Sequence, residues 1–312
     1  MSHKKIVIAG GGGYLGKAVA NRFRQNEYEV VILSRNPASY SSKIRGVVWD
    51  GASVGEWAKE LEEAELVINL AGRTVNCRYN EKNKQEIYDS RLKSTEAIGV
   101  AISRCLNPPK VWINSSSATI YRYAEDRPMD ENTGEIGSGF SVDVCQKWEQ
   151  TLNEAVTPNT RKVALRLAMV FGEGTGGVME AYLNIVKLGL GGTMGSGKQY
   201  VSWVHLEDFL RTLEWIVAHA ELSGAINCAA PNPLPNREFM ATLRKSANQP
   251  IGLPATKWML EIGAFALGTE TELLLKSRRV VPTRLLDTGF IFKYPKALEA
   301  FQEILAQGGT SR

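Results

Sequence analysis

Short apolar runs rich in β-branched residues alternate with amphipathic stretches through the first two thirds of this chain. Ile6 to Ala9, Val30 to Leu33, Val47 to Trp49, Leu66 to Leu70, Val111 to Asn114 and Val163 to Leu167 are almost unbroken apolar runs, the texture of strands covered on both faces. Between them helical periodicity predicts helices near 14–25, 53–63, 81–104 and 141–155. Such alternation predicts an α/β fold, a parallel sheet with helices on both sides. After Gly172 the texture changes. Glycines cluster from 172 to 197, and Pro231, Pro233, Pro235, Pro250 and Pro254 break the later segments. Helices are expected over 179–188, 207–219, 236–247, 257–267 and 296–306, with one more strand at Ala225–Cys228. The pattern divides the chain into a sheet domain over 1–171, rejoined by 200–230, and a smaller, partly interleaved C-terminal substrate lobe from 172–199 and 231–312.

The first strand runs into AGGGGYLGKA. Gly11, Gly16 and Lys17 fit all of a nucleoside triphosphate loop except its final hydroxyl residue. That place is Ala18, whose methyl group cannot ligate magnesium. Gly10, Gly13 and Gly16 fit better as GxxGxxG between a strand and a helix that carries Leu15, Val19 and Phe23. In that setting the first glycine permits the turn, the second lets backbone approach a pyrophosphate, and the third brings helix close to strand. The fold expected is therefore a Rossmann-type doubly wound sheet, with Lys17 a solvated helix residue. A second near-match, GTMGSGKQ at 192–199, ends in Gln199 and has helix before it and strand after it, the reverse of what the motif needs. It reads as a flexible glycine loop or one that closes over substrate.

Composition narrows the partners. With 312 residues, 44% apolar content and a net charge of +4 without a basic run, the chain can bury a sizeable core and gives no reason to expect nucleic acid or a membrane surface. Four cysteines stand far apart without CxxC, and three histidines are scattered, so no metal site is expected. No signal-peptide segment or membrane-length apolar run is visible; a soluble, cytoplasmic protein with reduced thiols is the economical expectation.

The second strand ends in Ser34 and Arg35 rather than a carboxylate. A guanidinium beside a hydroxyl suits a ribose 2′-phosphate, so NADP(H) is the cofactor expected, the alternative being a surface arginine. Asp50, ending the third strand, could accept from the adenine amino group or cap the next segment.

Further motifs stand in order along the chain: Asn69-Leu70-Ala71-Gly72 after the fourth strand, Ser115-Ser116-Ser117-Ala118-Thr119-Ile120-Tyr121 after the fifth, then LGLGG, GSG, WVH and APNP, and YPKALEAF near the end. In this order the chain resembles the extended short-chain dehydrogenase/reductases, and more closely their atypical sugar-nucleotide epimerase-like subgroup of unassigned activity. The serine run is similar to that of UDP-galactose 4-epimerase. The resemblance implies hydride transfer between a nicotinamide and a small hydroxylated or carbonyl substrate. It assigns a tyrosine as acid/base, a lysine four residues later that lowers its pKa, and a serine that orients substrate. Ser117 matches that serine, and Thr119 could assist it. None of the ten tyrosines has Lys at the fourth following position. Alignment on Glu149 puts Ser141 in the tyrosine place and Cys145 in the lysine place. Two substitutes are conceivable: Tyr121 or Tyr123, with Lys147 or Arg166 nearby, or a reactive Cys145, although a helix cysteine is more often inert core.

The resemblance also implies that Arg91 reaches the cofactor, with Glu86 behind it, or else that both belong to a solvated charged helix. It adds Tyr14, Leu15, Leu70, Ala71, Gly72 and Met169 to the expected cofactor contacts, and implies a homodimer through the long helix after the fourth strand. His205 and Asp208 open a later helix and read as structural, with no partner visible for acid/base work. The functional expectation is an NADP(H)-binding oxidoreductase or epimerase-type enzyme. Its competitor is a catalytically silent NADP(H) sensor or scaffold.

Overall fold

The computed structural model describes residues 4–37, 44–261, 270 and 272–310. Seven parallel strands form the main sheet: β1 (Lys5–Ala9), β2 (Glu29–Ser34), β3 (Ile44–Val48), β4 (Leu66–Asn69), β5 (Val111–Ser117), β6 (Arg161–Leu167) and, much later, β10 (Gly224–Cys228). Their order is β3-β2-β1-β4-β5-β6-β10. The order reverses direction between β1 and β4, the crevice where doubly wound sheets bind ligands.

Strand alternation sorts the core into two layers. Ile6, Ile8, Val30 and Ile32 face one cluster, with Val19 and Phe23 of α1 (Tyr14–Gln25). Val7, Ala9, Val31 and Leu33 face the other, with Ala97, Ile98 and Ala101 of α2 (Glu81–Ser103). Both clusters are closed to water, so the central strands β1, β2 and β4 are buried on two faces and read as continuous apolar runs rather than alternating ones, whereas the edge strand β3 is largely exposed. The helix expected over 53–63 is a 3-10 turn at Glu56–Leu61. Trp49 lies just past β3, where its indole and that of Trp57 both donate to the Ser53 carbonyl.

After α3 (Phe140–Glu154) and β6 the chain leaves the main sheet. The short strand β7 (Met169–Phe171) pairs with β9 (Trp203–His205), and β8 (Tyr200–Val201) with β11 (Leu234–Pro235). Helices α4 (Val178–Lys187), α5 (Leu206–Ala218), α6 (Asn236–Ser246), α7 (Glu272–Leu275), α8 (Thr283–Asp287) and α9 (Ala297–Thr310) complete the chain. Phe171, Trp203, Phe239 and Phe301 fill a separate aromatic cluster here, whereas Leu285, Phe290 and Phe292 return to the main-sheet core. The expected helix over 257–267 begins at 257–261 and otherwise lies outside the described residues.

The 192–199 segment is fully engaged rather than a free flap. Gly192 and Gly195 donate to the carbonyls of Leu253 and Ala255, and the buried Gln199 amide closes on the Met194 carbonyl. His205 caps α5 through Nδ1 and meets Glu303 through Nε2 at 2.9 Å. Asp208 accepts from the backbone N–H groups of Lys293 and Tyr294 at 2.7 and 2.8 Å. Both residues fasten the C-terminal segment to α5. Among the described residues no helix is long and apolar enough to cross a membrane, and no group of three metal-ligating side chains occurs.

Candidate active site

The glycine turn is shaped by contact. Gly10 has φ +75°, and a Cβ there would sit 2.7 Å from the Ala71 backbone nitrogen; one on Gly16 would lie 2.4 Å from the Gly11 Cα. Only bare backbone fits between β1, α1 and the Leu70-Ala71 turn. Beside Gly12 and Gly13, by contrast, there is open space, and Gly13 caps α1 without a side-chain hydrogen bond. The α1 N-terminus thus offers unmasked N–H groups to an anion. At the end of β2 the Ser34 hydroxyl is buried without a hydrogen-bond partner among the described residues, and Arg35 is exposed. This orphan hydroxyl beside a guanidinium, together with the glycine cradle, fits a phosphorylated dinucleotide.

Tyr14 opens α1 and its hydroxyl donates to the Glu173 carbonyl at 2.9 Å, tying the turn to the loop before α4. Burial first, then Glu173, pushes this phenol up to about 12. Leu15 packs on the main-sheet core. Met169 is half-buried at the start of β7, beside Tyr182. Asp50 is exposed and accepts from the N–H groups of Ala52 and Ser53, both at 2.8 Å, and from the Ser53 hydroxyl. Those bonds hold its carboxyl below the usual range.

At the carboxyl ends of β4 and β5 lies a cavity of about 230 Å³, bounded by Leu70, Ala71 and Gly72, by Arg91, by Ser115 to Ser117 and Thr119, and by α3. The Asn69 side chain fixes its floor, accepting from Ala71 N at 3.0 Å while donating to Asn114 Oδ1 at 2.8 Å. Arg91 lies over the Trp148 ring at 5.1 Å and donates to the Ile87 carbonyl. Its guanidinium passes close enough to Gly72 that a Cβ there would meet Cζ at 3.3 Å. Glu86 does not stand behind it as expected. That carboxylate is ion-paired with Arg73, because one helical turn carries it toward the 73–80 loop.

The structure brings Ser117, Thr119, Ser141 and Cys145 together on this cavity. Ser117 caps the 3-10 turn Ala118–Ile120, accepting from Thr119 N at 3.2 Å. Cys145 is buried, and burial followed by the Glu149 charge pushes its thiol up to about 12. The thiol is therefore held protonated, which argues against a nucleophilic role. Tyr121 is not on the cavity. Its hydroxyl accepts from Arg166 at 2.8 Å and donates to Asn227 at 3.0 Å, within a buried network in which Arg166 and Glu149 form a two-point ion pair and Ser116 donates to Glu149. Tyr123 points elsewhere, to Glu125.

Residues with no sequence signal complete the cavity and its surroundings. Tyr79, in the loop before α2, lines the cavity with its ring edge-on to Phe140. Its hydroxyl is buried beside Ser141 without a hydrogen bond of normal geometry among the described residues. Burial raises its pKa, and Ser141 partly offsets this. From the far end of the chain Lys276 donates to the Thr119 carbonyl and Arg278 to Thr119 Oγ1, each at 2.9 Å. Glu272 accepts from Ser141 at 3.0 Å. A tyrosine set in a loop, and cations more than a hundred residues from their partner, leave no fixed spacing to read.

This fold has counterparts. The profile of the NAD dependent epimerase/dehydratase family matches residues 6–229, and the chain belongs to that family. A domain of unknown function, DUF1731, matches residues 255–304. Among individual relatives, the epimerase family protein ML0860 of Mycobacterium leprae is 33% identical over 96% of this chain and 95% of its own length. The epimerase family protein YfhF of Bacillus subtilis is 30% identical over 98% of this chain and 99% of its own length. The crystal structure of the human epimerase family protein SDR39U1 (isoform 2), solved with NADPH, superposes with a TM-score of 0.86 at 28% identity, covering 97% of this chain and 99% of that one.

Proposed function

We propose that this protein binds NADP(H) and performs epimerase-type or oxidoreductase chemistry on a small carbonyl or hydroxylated substrate. The observation that carries the reading is the cofactor half of the site: a glycine cradle, a buried Ser34 hydroxyl with no partner among the described residues, and an exposed Arg35 at the end of β2. The human relative that superposes over nearly the whole chain was solved with NADPH. Gly10 to Gly16 and the α1 N-terminus would hold the pyrophosphate, Ser34 and Arg35 the 2′-phosphate, and Leu70 to Gly72 with Arg91 the ribose toward the cavity. When bound, the nicotinamide supplies or accepts a hydride.

The chain's own residues do the rest. Ser117 and Thr119 present hydroxyls to the substrate oxygen. Tyr79 supplies the proton to that oxygen in the reducing direction, since burial keeps its phenol protonated at neutral pH. Arg91 and Arg278, both within electrostatic reach of that phenol, stabilise the phenolate left behind. The segments 172–199 and 231–312 form the substrate lobe in this reading, and the protein works in the cytoplasm as a homodimer through α2.

Calorimetric titration of the cofactor-free protein with NADPH, NADH and magnesium ATP tests the reading. Binding of NADPH well ahead of NADH, without ATP binding, is expected; ATP binding alone would overturn it. NADPH oxidation with a panel of quinones, ketones and aldehydes then separates an enzyme from a silent NADP(H) sensor, the reading favoured by Ser141 and Cys145 in the tyrosine and lysine places.

A further inference from the structure

Two cavities meet at one carboxylate. The inner one, described above, has Tyr79, Phe140 and Ser141 on its wall. A second and more open cavity of about 610 Å³ is bounded by Arg122, Tyr123, Lys257, Glu272 and Lys276. Glu272 borders this outer cavity, yet it accepts from the Ser141 hydroxyl of the inner one at 3.0 Å. Lys276, one helical turn later, stands 3.7 Å from Glu272 and donates to the Thr119 carbonyl. At this point the wall between the cavities consists of hydrogen-bonding groups rather than apolar packing.

The row of hydroxyls has a direction. A serine hydroxyl has one proton to give. Ser141 gives it to Glu272, so only its lone pairs remain for the Tyr79 hydroxyl beside it. That phenol is buried, and its ring stands edge-on to Phe140. Arg91 of α2, Cys77 of the preceding loop, and Glu270, Glu272 and Arg278 of the C-terminal segment all lie within its electrostatic reach. Glu272 itself faces Lys276 and Arg278. A phenolate formed in the inner cavity is costly unless it regains a proton. Glu272, with its side chain 35% exposed, connects that cavity to solvent.

Granting that Tyr79 is the acid of the proposed reaction, we propose that Ser141 and Glu272 are its proton relay to solvent in the outer cavity. In the reducing direction the substrate oxygen takes the Tyr79 proton as its carbon receives the hydride. Glu272 then takes a proton from a solvent acid and passes it to Ser141 Oγ while the Ser141 proton moves to the phenolate. One proton has entered, the phenol is restored, and Ser141 and Glu272 end as they began, neither oxidised nor reduced. The oxidising direction runs the same steps backwards. Neither residue touches the substrate; both are positioning residues that act through Tyr79. Ser141, standing in the tyrosine place, keeps a part in proton transfer.

Two measurements on the full chain test this. The first needs neither cofactor nor turnover. With 3-fluorotyrosine incorporated, the Tyr79 resonance is assigned through Tyr79→Phe and followed against pH by fluorine NMR. Ser141→Ala, which removes a hydrogen-bond partner, should raise the pKa of this phenol, and Glu272→Gln, which removes a negative charge, should lower it. The second is steady-state kinetics with NADPH and whichever quinone, ketone or aldehyde turns over. Glu272→Gln should lower kcat by about tenfold or more, while KM and NADPH affinity stay within about threefold. On a Ser141→Ala background the same change should alter kcat by less than about twofold, the mark of a single path. Added formate should raise the kcat of Glu272→Ala and leave that of Ser141→Ala unchanged.

A Tyr79 titration that neither variant moves, or a Glu272→Gln enzyme with undiminished kcat, would overturn the proposal. Losses that add fully in the double variant, without rescue by formate, would overturn it too by making Glu272 a structural residue. Full kcat in Tyr79→Phe would instead remove Tyr79 as the acid, and the relay with it. Absence of turnover with every probe would remove the oxidoreductase reading, and the titration would still decide whether Ser141 and Glu272 are linked to the phenol.

Discussion

In the proposed function one strand end, Ser34 and Arg35, selects the cofactor. A 2′-phosphate bound there gains charge-assisted hydrogen bonds that NADH cannot make. Arg35→Ala should therefore weaken NADPH by about tenfold or more, a loss of roughly 1.4 kcal/mol, and leave NADH nearly unchanged. Equal losses in paired titrations would show that Arg35 is not the phosphate anchor. At the proton-transfer step, Tyr79→Phe should lower kcat by about a hundredfold or more with little change in NADPH affinity, and Ser117→Ala should show the same pattern more mildly. Steady-state kinetics on whichever carbonyl probe turns over decides both. That Ser117 and Thr119 line the cavity was legible because the serine run comes after a recognisable strand. Tyr79 was not, since no offset relates a loop phenol to the helix residue beside it. Glu86 was misplaced for a plainer reason: five residues along a helix is more than one turn, so it faces Arg73 instead of following Arg91.

Elements were the most legible scale. Strands covered on two faces produce unbroken apolar runs, and the helix carrying Val19 and Phe23 shows its buried stripe. Short elements were read only in part: the strand expected after Gln199 is there as β8 and β9, but β7 was not expected, and its pairing with β9 joins chain segments far apart, which no local pattern records. The closeness of α1 to the glycine turn has a direct consequence. Gly16→Ala would push a Cβ into the Gly11 backbone, and should cost about 1–3 kcal/mol of stability along with most of the cofactor affinity, measured by denaturant unfolding and titration. The junction between β3 and the 3-10 turn carries a pH signature. Arg45 grips Glu60 with two hydrogen bonds, which hold that carboxyl below its usual range. Because the folded pKa is the lower one, the stabilisation is present above the ordinary carboxyl range and is lost as pH falls through the folded pKa. Glu60→Gln should therefore lose stability less steeply between about pH 5 and 3 than the parent protein. Unchanged acid unfolding curves would rule this out.

For the whole molecule, the decisive link runs through Asp208. Fully buried, it accepts from two backbone N–H groups at Lys293 and Tyr294 and is ion-paired with Arg211 at 3.0 Å. Asp208→Ala leaves those donors without their acceptor and should cost about 2–4 kcal/mol, read as a lowered denaturation midpoint. The sequence placed Asp208 at the start of a helix, where its charge suits the dipole, but held no hint of the chain end it would hold. The doubly wound sheet, in contrast, was apparent from end to end, because its order depends on repeated local alternation.

The hold that Lys276 and Arg278 take on Thr119 also has a meaning in time. Synthesis proceeds from the N-terminus, and domains fold as they emerge. A nascent chain thus owns its glycine turn, and most of its parallel sheet, long before Thr119 meets these two partners. Until that later stretch has been made and has docked, the end of β5 lacks the two cations that hold it.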